Sequence, residues 1–401
     1  MAAAREAPFQ TPEREASAPE APRVLYLYAQ VLRAHSPHAR QTFQMLSLMK
    51  RAGLQVDVLT LPRGDAWPTG LVRRVYRTGA VPFVRGLPYY GGGFRRTWAT
   101  VVMTLSALRL FLMGRYRAVH CADRSVRVGA VVAWLFGARF IFEWRSRSGH
   151  SLIKWARKRS RRFLRSVNLV LADEQLDVAR LRQCRLYGRI AYLPALPAPW
   201  VRPLPLPAVR LGGTQQRFTL AALSFRPDGR DWEVLLEALG AFSAHVGLGV
   251  RFYGGTGAAV ERLRAHLAEK LPRALEWAIE PFPEGSVALQ RALLPADAVF
   301  FPALSGAVPP PELLDAMASR RALLAIRCPA AETVLPPAGA IWVRSERTAI
   351  AEALERAMRA PTLCIDKAQA AADALAQERS LEAVTEALRS CYAFALAPGG
   401  A

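Results

Sequence analysis

The chain has 401 residues, of which 52% are hydrophobic and 21% charged, which excludes a disordered protein and is enough for two folded domains. The net charge of +22 comes from the first half of the chain. Residues 1–210 carry 35 basic and 11 acidic side chains, whereas residues 211–401 carry 19 basic and 21 acidic side chains. A basic half indicates an anionic partner, such as nucleic acid, a phosphate-bearing substrate or an anionic membrane surface. The five cysteines include no CxxC pair, which disfavours a disulfide framework or a zinc site.

Residues 1–22 are rich in Ala, Pro and Glu, lack the apolar run of a signal peptide, and are predicted to be a disordered tail. From residue 23 onwards, short apolar strands alternate with helices. Strands are predicted at 23–29, 56–61, 118–121, 139–142, 168–172 and 189–193, and helices at 41–52 and 175–183. Strands without polar alternation, separated by helices, indicate a parallel sheet covered on both faces. Residues 23–200 are therefore predicted to form one Rossmann-like domain.

Two segments of this domain could meet a membrane. The apolar stretch 98–113 is shorter than the roughly 20 residues of a spanning helix, and contains Arg109. It is predicted either to be buried against the sheet or to insert partly into a membrane interface. Residues 151–165 predict a basic amphipathic helix with Trp144 and Trp155 nearby, which suits an anionic membrane surface. The alternative for that helix is an Arg-rich, solvent-facing surface.

Residues 201–215 are predicted to be a Pro-rich linker, after which the alternation of strands and helices restarts. Strands are predicted at 218–223, 250–253, 275–280, 298–302, 322–326 and 340–343, and helices at 232–246, 257–270, 311–319 and 348–358. This pattern predicts a second Rossmann-like domain over 216–375. A last helix, 376–396, is predicted to pack back towards the first domain.

Three loops follow strands of the second domain, at the edge where open α/β sheets bind ligands. The first carries two guanidiniums that suit a diphosphate, the second has a Gly-rich turn, and the third opens a helix whose positive end attracts anions. Asp315, one turn inside that helix, could accept hydrogen bonds from ribose hydroxyls. The predicted donor-binding residues are Arg226, Arg230, Gly254, Gly255, Ser305, Gly306, Glu312 and Asp315.

Several stretches, in order, resemble GT-B glycosyltransferases. They include Tyr116-Arg-Ala-Val-His-Cys-Ala-Asp and Leu313-Leu-Asp-Ala-Met-Ala-Ser. Within that fold the chain is similar to the chitobiosyldiphosphodolichol β-mannosyltransferase family, at Ser36-Pro, at Ile141-Phe-Glu-Trp and at Asp228-Gly-Arg-Asp-Trp-Glu. The resemblance implies two Rossmann-like domains facing a cleft, with the acceptor bound by the first and a UDP- or GDP-linked sugar by the second. It also implies a reaction without metal or other cofactor.

The predicted catalytic base is Glu143, which follows an apolar strand at the ligand-binding edge, with Asp123 and His150 as the next candidates. An ion pair of Glu143 with Arg145 or Arg147 is the alternative. A further set is predicted to face the acceptor or the membrane: His35, His38, Arg40, Trp144, Arg145, Trp155, Arg157 and Arg161.

These observations predict a hexosyltransferase, cytoplasmic and peripherally associated with the membrane. It would move a sugar from a nucleotide-sugar donor to a lipid-linked or glycan acceptor. Retaining GT-B enzymes commonly carry a Glu where this chain has Ala307. A GT-B pseudoenzyme that acts as partner or scaffold of an active enzyme is therefore the alternative. Nucleic acid is not an expected partner, because no DNA- or RNA-binding signature appears.

Overall fold

A computed structural model of the chain describes residues 21–31, 37–61, 93–122, 125–145, 167–173, 175–183, 189–197, 201, 203–206, 217–226, 228–242, 247–255, 258–283, 286–303 and 311–397. These residues form two parallel six-stranded sheets with flanking helices. The predicted fold class, two Rossmann-like parallel-sheet domains, is confirmed.

The N-terminal sheet has the strand order β2-β1-β3-β4-β5-β6, and every neighbouring pair is parallel. Its strands are β1 (Arg23–Val31), β2 (Gln55–Leu61), β3 (Ala118–Ala122), β4 (Arg139–Trp144), β5 (Leu169–Ala172) and β6 (Arg189–Tyr192). The helices between them are α1 (Pro37–Arg51), α2 (Gly93–Gly114), α3 (Val126–Phe136) and α4 (Gln175–Gln183).

Alternation along β1 divides the core of this domain between the two faces of the sheet. Leu25 and Leu27 lie in one cluster with buried side chains of α2, α3 and α4. Tyr26 and Tyr28 lie in the other, with side chains of α1 and of the C-terminal helix. The strands are nearly uniformly apolar because helices cover both faces.

The C-terminal sheet has the order β12-β11-β10-β7-β8-β9 and is also fully parallel. Its strands are β7 (Phe218–Leu223), β8 (Leu248–Tyr253), β9 (Glu276–Glu280), β10 (Ala298–Phe301), β11 (Ala322–Ile326) and β12 (Ile341–Val343). The helices are α5 (Arg230–Leu239), α6 (Ala258–Lys270), α7 (Ser286–Leu293), α8 (Pro311–Ala318), the short α9 (Pro329–Glu332) and α10 (Arg347–Arg359). The helix predicted over 232–246 is wrong at its end, because α5 ends at Leu239, directly before Gly240.

The chain ends in two helices, α11 (Pro361–Glu378) and α12 (Leu381–Leu396), where the sequence predicts one helix over 376–396. Between them, Arg379 donates to the carbonyl of Ala195, just after the N-terminal sheet. The buried face of α12 joins the core of the N-terminal domain, through Val384, Leu388, Cys391, Tyr392 and Ala395. The last helix therefore completes a core that begins with the first strand.

The apolar segment 98–113 lies within α2. Met103, Ala107 and Phe111 recur at every fourth position and face the sheet. Among the described helices, none combines the length and the apolar character needed to cross a membrane.

Candidate functional site

The carboxyl end of the C-terminal sheet has a topological switch point between β7 and β10. From β7 the chain runs through β8 and β9 on one side, and β10, β11 and β12 lie on the other. A switch point of this kind is the usual place for a ligand in an open α/β sheet. The loop with Arg226 follows β7, and α8 follows β10 after the predicted residues Ser305 and Gly306, which lie outside the described residues.

Asp231 joins the two sides of this switch point. It lies in the first turn of α5, and its Oδ2 accepts a hydrogen bond of 2.8 Å from the backbone N–H of Ala303, directly after β10. Its Oδ1 accepts a hydrogen bond from the hydroxyl of Ser345, in the loop after β12. One carboxylate thus fixes three loops of the ligand-binding edge. Sequence reasoning gave this residue no role, since its partners are 72 and 114 positions away.

Arg226 and Arg230 are exposed at this edge, as a diphosphate site requires. Within the described part of the chain, no hydrogen bond or ion pair holds either guanidinium. Arg230 begins α5, whose free N–H groups and dipole also favour an anion. Between β7 and Arg226, Ser224 has a φ of 58°, a left-handed conformation that is uncommon for a residue other than glycine.

Gly254 and Gly255 follow β8 and keep this edge compact. A Cβ on Gly254 would lie 2.6 Å from the carbonyl oxygen of Phe225, so the glycine lets the loop after β8 approach the loop after β7. Gly255 has a φ of 66°. Both glycines therefore have a structural reason to be present. Their predicted contact with a donor stays a prediction.

Glu312 and Asp315 lie on α8, beside the switch point. Glu312, in the first turn, is half-buried, whereas Asp315 is only 1% exposed. Any contact of the Asp315 carboxylate with a ribose needs an opening beside it. That predicted contact also stays a prediction.

At the edge of the N-terminal sheet, Glu143 forms the ion pair that was the alternative to catalysis. The Nε of Arg145 lies 2.8 Å from Glu143 Oε1, and the hydroxyl of Tyr26 donates to Oε2 at 2.7 Å. The other two guanidinium nitrogens of Arg145 donate to the hydroxyls of Thr42 and Tyr26, at 2.9 and 2.8 Å. This buried cluster joins β1, α1 and the end of β4.

Two groups from other elements extend the cluster. The Nε2 of His120, on β3, lies 3.4 Å from Glu143 Oε2, and its Nδ1 lies 2.6 Å from the hydroxyl of Tyr392 on α12. Burial lowers the pKa of His120, which favours the neutral imidazole. Burial raises the pKa of Tyr392 and keeps its hydroxyl protonated.

The same contacts make Glu143 a weak proton acceptor. Burial by itself raises the pKa of Glu143, but the charge of Arg145 and the hydrogen bonds to the carboxylate outweigh burial and lower the pKa to about 2. A general base works best with a pKa near the working pH. The structure therefore favours the ion pair over the role of base, although one side of Glu143 lines a small hollow that Gln44 and Asp173 share.

Two residues predicted to face an acceptor or a membrane are buried instead. Trp144 is 1% exposed, and belongs to the core cluster shared with α2, α3 and α4, with its ring at right angles to that of Phe142. Arg145 is 2% exposed because Glu143 neutralises it inside the domain. Both predictions are corrected. The side chain of a residue at the end of a parallel strand can point into the domain core as readily as into the cleft.

The other predicted residues of this domain lie outside what the structure describes. Positions 38 and 40 fall in α1, but their side chains, of His38 and Arg40, are not described. A further set lies outside the described residues altogether: His35, Asp123, His150, Trp155, Arg157 and Arg161. Their roles stay predictions.

Comparison with known proteins identifies the fold. No protein-family model and no curated protein sequence matches the chain. Among solved structures it is similar to Anabaena HepE in complex with UDP and glucose, with a TM-score of 0.65 and 11% identity over 92% of this chain and 99% of that one. It is also similar to sucrose-phosphate synthase from Thermosynechococcus elongatus (TM-score 0.66, 12% identity, 92% and 98% covered) and to WaaG, a glycosyltransferase involved in lipopolysaccharide biosynthesis (0.60, 16%, 92% and 98%).

These structures are GT-B glycosyltransferases, and the chain has their fold along nearly its whole length. The predicted resemblance to GT-B proteins is thereby confirmed at the level of the fold. The closer likeness to the β-mannosyltransferase family stays a prediction.

Proposed function

We propose that this protein is a glycosyltransferase that takes its sugar from a UDP- or GDP-linked donor held at the switch point of the C-terminal sheet. The observation that carries the proposal is the arrangement at that edge. Two exposed arginines and the N-terminus of α5 lie at the switch point, and Asp231 links α5 to the segments after β10 and β12. The same fold is seen in HepE with UDP-glucose bound, which supports a nucleotide sugar as the ligand.

The chemistry assigns a task to each part of the site. An acceptor hydroxyl forms a bond to the anomeric carbon, and the bond from that carbon to the diphosphate oxygen breaks. The diphosphate leaves with the electron pair. Arg226 and Arg230 would stabilise the negative charge that develops on it, because guanidinium groups bind phosphate oxygens in pairs. This assignment needs no resident metal ion or other cofactor.

The hydroxyl proton must pass to a base as the new bond forms. Because its ion pair lowers the pKa of Glu143, we assign the base to Asp123 or His150, the other candidates from the sequence. Asp123→Asn, His150→Asn and Glu143→Gln test this assignment by steady-state transfer rates on protein that is shown to be folded. A large loss of kcat in Glu143→Gln alone would return the role to Glu143.

The acceptor that we propose is a lipid-linked or other glycan at the cytoplasmic face of an anionic membrane. The support is the charge of residues 1–210, which contain the N-terminal domain and carry 35 basic against 11 acidic side chains. An anionic surface attracts such a domain with roughly 1 kcal/mol per basic residue near it.

The first test is a thermal-shift panel of UDP, GDP, ADP and their sugar conjugates. A nucleotide at about 100 times its dissociation constant adds roughly 2.7 kcal/mol of stability, which is several degrees in Tm. The shift is expected to disappear in Arg226→Ala and Arg230→Ala. Arg273→Ala is the matched control, because Arg273 is an exposed arginine just before β9, at the opposite edge of the same sheet.

A shift that survives in both arginine variants would place the nucleotide elsewhere. No shift with any nucleotide would overturn the proposal and leave the pseudoenzyme as the better interpretation.

A further inference from the structure

The outer surface of the N-terminal domain carries exposed apolar side chains on α2 and α3. Both helices cover the same face of the sheet, and their carboxyl ends meet where the rings of Phe111 and Phe136 stack at 5.3 Å. Six large apolar side chains of the two helices are exposed and define the α2–α3 patch: Leu105, Leu112, Met113, Trp134, Leu135 and Phe136. Trp134 is 78% exposed, Leu112 76% and Met113 72%, values that a buried core helix would not show.

The patch is a continuation of the helical pattern and not a random scatter of apolar residues. On α2, Leu105, Arg109 and Leu112 recur at spacings of four and three, on the side opposite to the buried Met103, Ala107 and Phe111. The outward stripe from Val101 to Leu112 is roughly 17 Å long at 1.5 Å per residue. Exposed large apolar side chains gathered on two packed helices usually mark a site of interaction.

The charges around the patch select its partner. Arg109 lies within the stripe of α2, and the exposed Arg115 and Arg117 follow its carboxyl end. Arg127 precedes Val131 and Trp134 on the outward side of α3. Residues 93–136 contain seven arginines and a single acidic residue, Asp123. A second copy of the chain would place the arginines of one patch against those of the other, and like charges repel. An anionic lipid surface complements both the apolar and the charged groups.

We infer that the α2–α3 patch is the surface by which this protein inserts into an anionic membrane. The apolar side chains enter the headgroup region while the arginines contact lipid phosphates. This inference deepens the proposed function and rests on its membrane-surface part, not on the transfer reaction. The patch lies on a face of the N-terminal domain and not at its ligand-binding edge, so the cleft stays open when the patch is buried.

The inference has a single-residue test with a matched control. Leu105 is 60% exposed on the patch, and Leu294 is 56% exposed in the C-terminal domain, next to the end of α7. Flotation with vesicles of equal parts phosphatidylcholine and phosphatidylglycerol measures the lipid concentration for half-maximal binding. Leu105→Glu, and independently Leu112→Glu, are expected to raise that concentration about tenfold or more, because each removes an exposed leucine that the lipid would bury and adds a carboxylate. Leu294→Glu is expected to leave it unchanged.

Three outcomes would overturn the inference. Equal binding of Leu105→Glu, Leu112→Glu and Leu294→Glu would show that vesicles bind through charge elsewhere in the basic half. Failure of the unmodified chain to bind anionic vesicles would indicate that a protein partner or another segment of the chain covers the patch. Equal binding to phosphatidylcholine alone would exclude the role of the arginines.

The nucleotide thermal shift, measured on the same variants, separates this inference from the proposed function. Leu105→Glu should keep any shift that the unmodified chain shows. Suppose that Leu105→Glu loses vesicle binding and that the unmodified chain shows no thermal shift with any nucleotide. The membrane inference would then hold, and the proposed transferase activity would be overturned.

Discussion

At the scale of single residues, Arg145 is a side chain whose burial needs compensation, since its charge lies inside the N-terminal domain. A buried guanidinium costs several kcal/mol unless its charge and its donors are matched. Here one carboxylate and two hydroxyls bond all three nitrogens, and the ring of Tyr28 lies 5.4 Å away. The cluster with its extension exists because five elements contribute to it: β1, α1, β3, the end of β4 and α12.

Removing the carboxylate should therefore destabilise the fold strongly. Glu143→Gln leaves Arg145 buried without a counter-charge and is expected to lower the free energy of unfolding by about 3–5 kcal/mol. Urea denaturation measures this. The control is Glu280→Gln, which breaks a half-exposed pair with Arg251 and should cost less than about 1 kcal/mol. Similar losses in both variants would contradict the account of a buried ion pair.

His120 should make stability depend on pH. Its pKa is lower in the folded chain than in the unfolded chain, so below about pH 6.5 the unfolded state binds more protons and stability falls as pH falls. Glu143, with its pKa lowered to about 2, acts in the same direction, but only below its ordinary pKa, near 4.3. In Tm measurements between about pH 7.5 and 5.5, His120→Gln should flatten the decline.

Tyr392→Phe is the control for this measurement. It removes the hydroxyl that contacts His120 Nδ1 but leaves the imidazole in place. The decline with pH should persist while the Tm falls at every pH. A decline that is equally steep in His120→Gln would assign it to other groups.

At the scale of elements, the ligand-binding edge of the C-terminal sheet depends on connections between loops. The hydrogen bonds between parallel strands position the strands, but they do not position the loops that follow the strands. Asp231 supplies that link from α5 to the backbone after β10 and to the loop after β12.

Asp231→Ala is expected to lower the free energy of unfolding by about 2 kcal/mol, because it removes two hydrogen bonds to a charged acceptor. It should also weaken the binding of whichever nucleotide shifts the Tm, since Ala303 follows β10 at the switch point where the nucleotide is proposed to bind. Calorimetric titration and urea denaturation measure the two effects. Asp228→Ala, an exposed carboxylate three residues earlier, should change stability by no more than about 0.5 kcal/mol. An Asp231 variant as stable as the Asp228 variant would refute the link.

At the scale of the whole molecule, α12 makes the two halves of the sequence depend on each other. The chain passes through the C-terminal domain and then returns to complete the core around Tyr26 and Tyr28. Arg379, between α11 and α12, donates a hydrogen bond to the carbonyl of Ala195 and so connects the end of the chain to the N-terminal domain. The N-terminal domain therefore cannot reach its full core until the last residues are in place.

Unfolding should accordingly be a single transition in scanning calorimetry. Leu388→Ala removes a fully buried side chain of α12 and is expected to cost about 2–5 kcal/mol, enough to separate an earlier transition of the N-terminal domain. Phe394→Ala, on the exposed side of the same helix, should leave one transition. Two transitions in the unmodified chain would show that α12 does not couple the domains.

The local elements of this protein follow from its amino-acid sequence alone. All twelve strands of the described residues were predicted to within two residues at each end, because an apolar run bounded by breakers reflects backbone geometry and burial close to each residue. The difference in net charge between the two halves also follows directly from the sequence. The position of α2 was also predicted, but not which of its sides would be exposed, since that depends on where the sheet and α3 lie.

Which side chains meet depends on how the distant elements pack together. Glu143 and Arg145 were expected to face a ligand, and are paired inside the domain because Tyr26, 117 positions earlier, and Thr42 lie against them. Asp231 gained its role from Ala303, and His120 from Tyr392, 272 positions away. Contacts over such separations follow from strand order and from the return of α12. Sequence periodicity records the environment of a residue but not the identity of its neighbours.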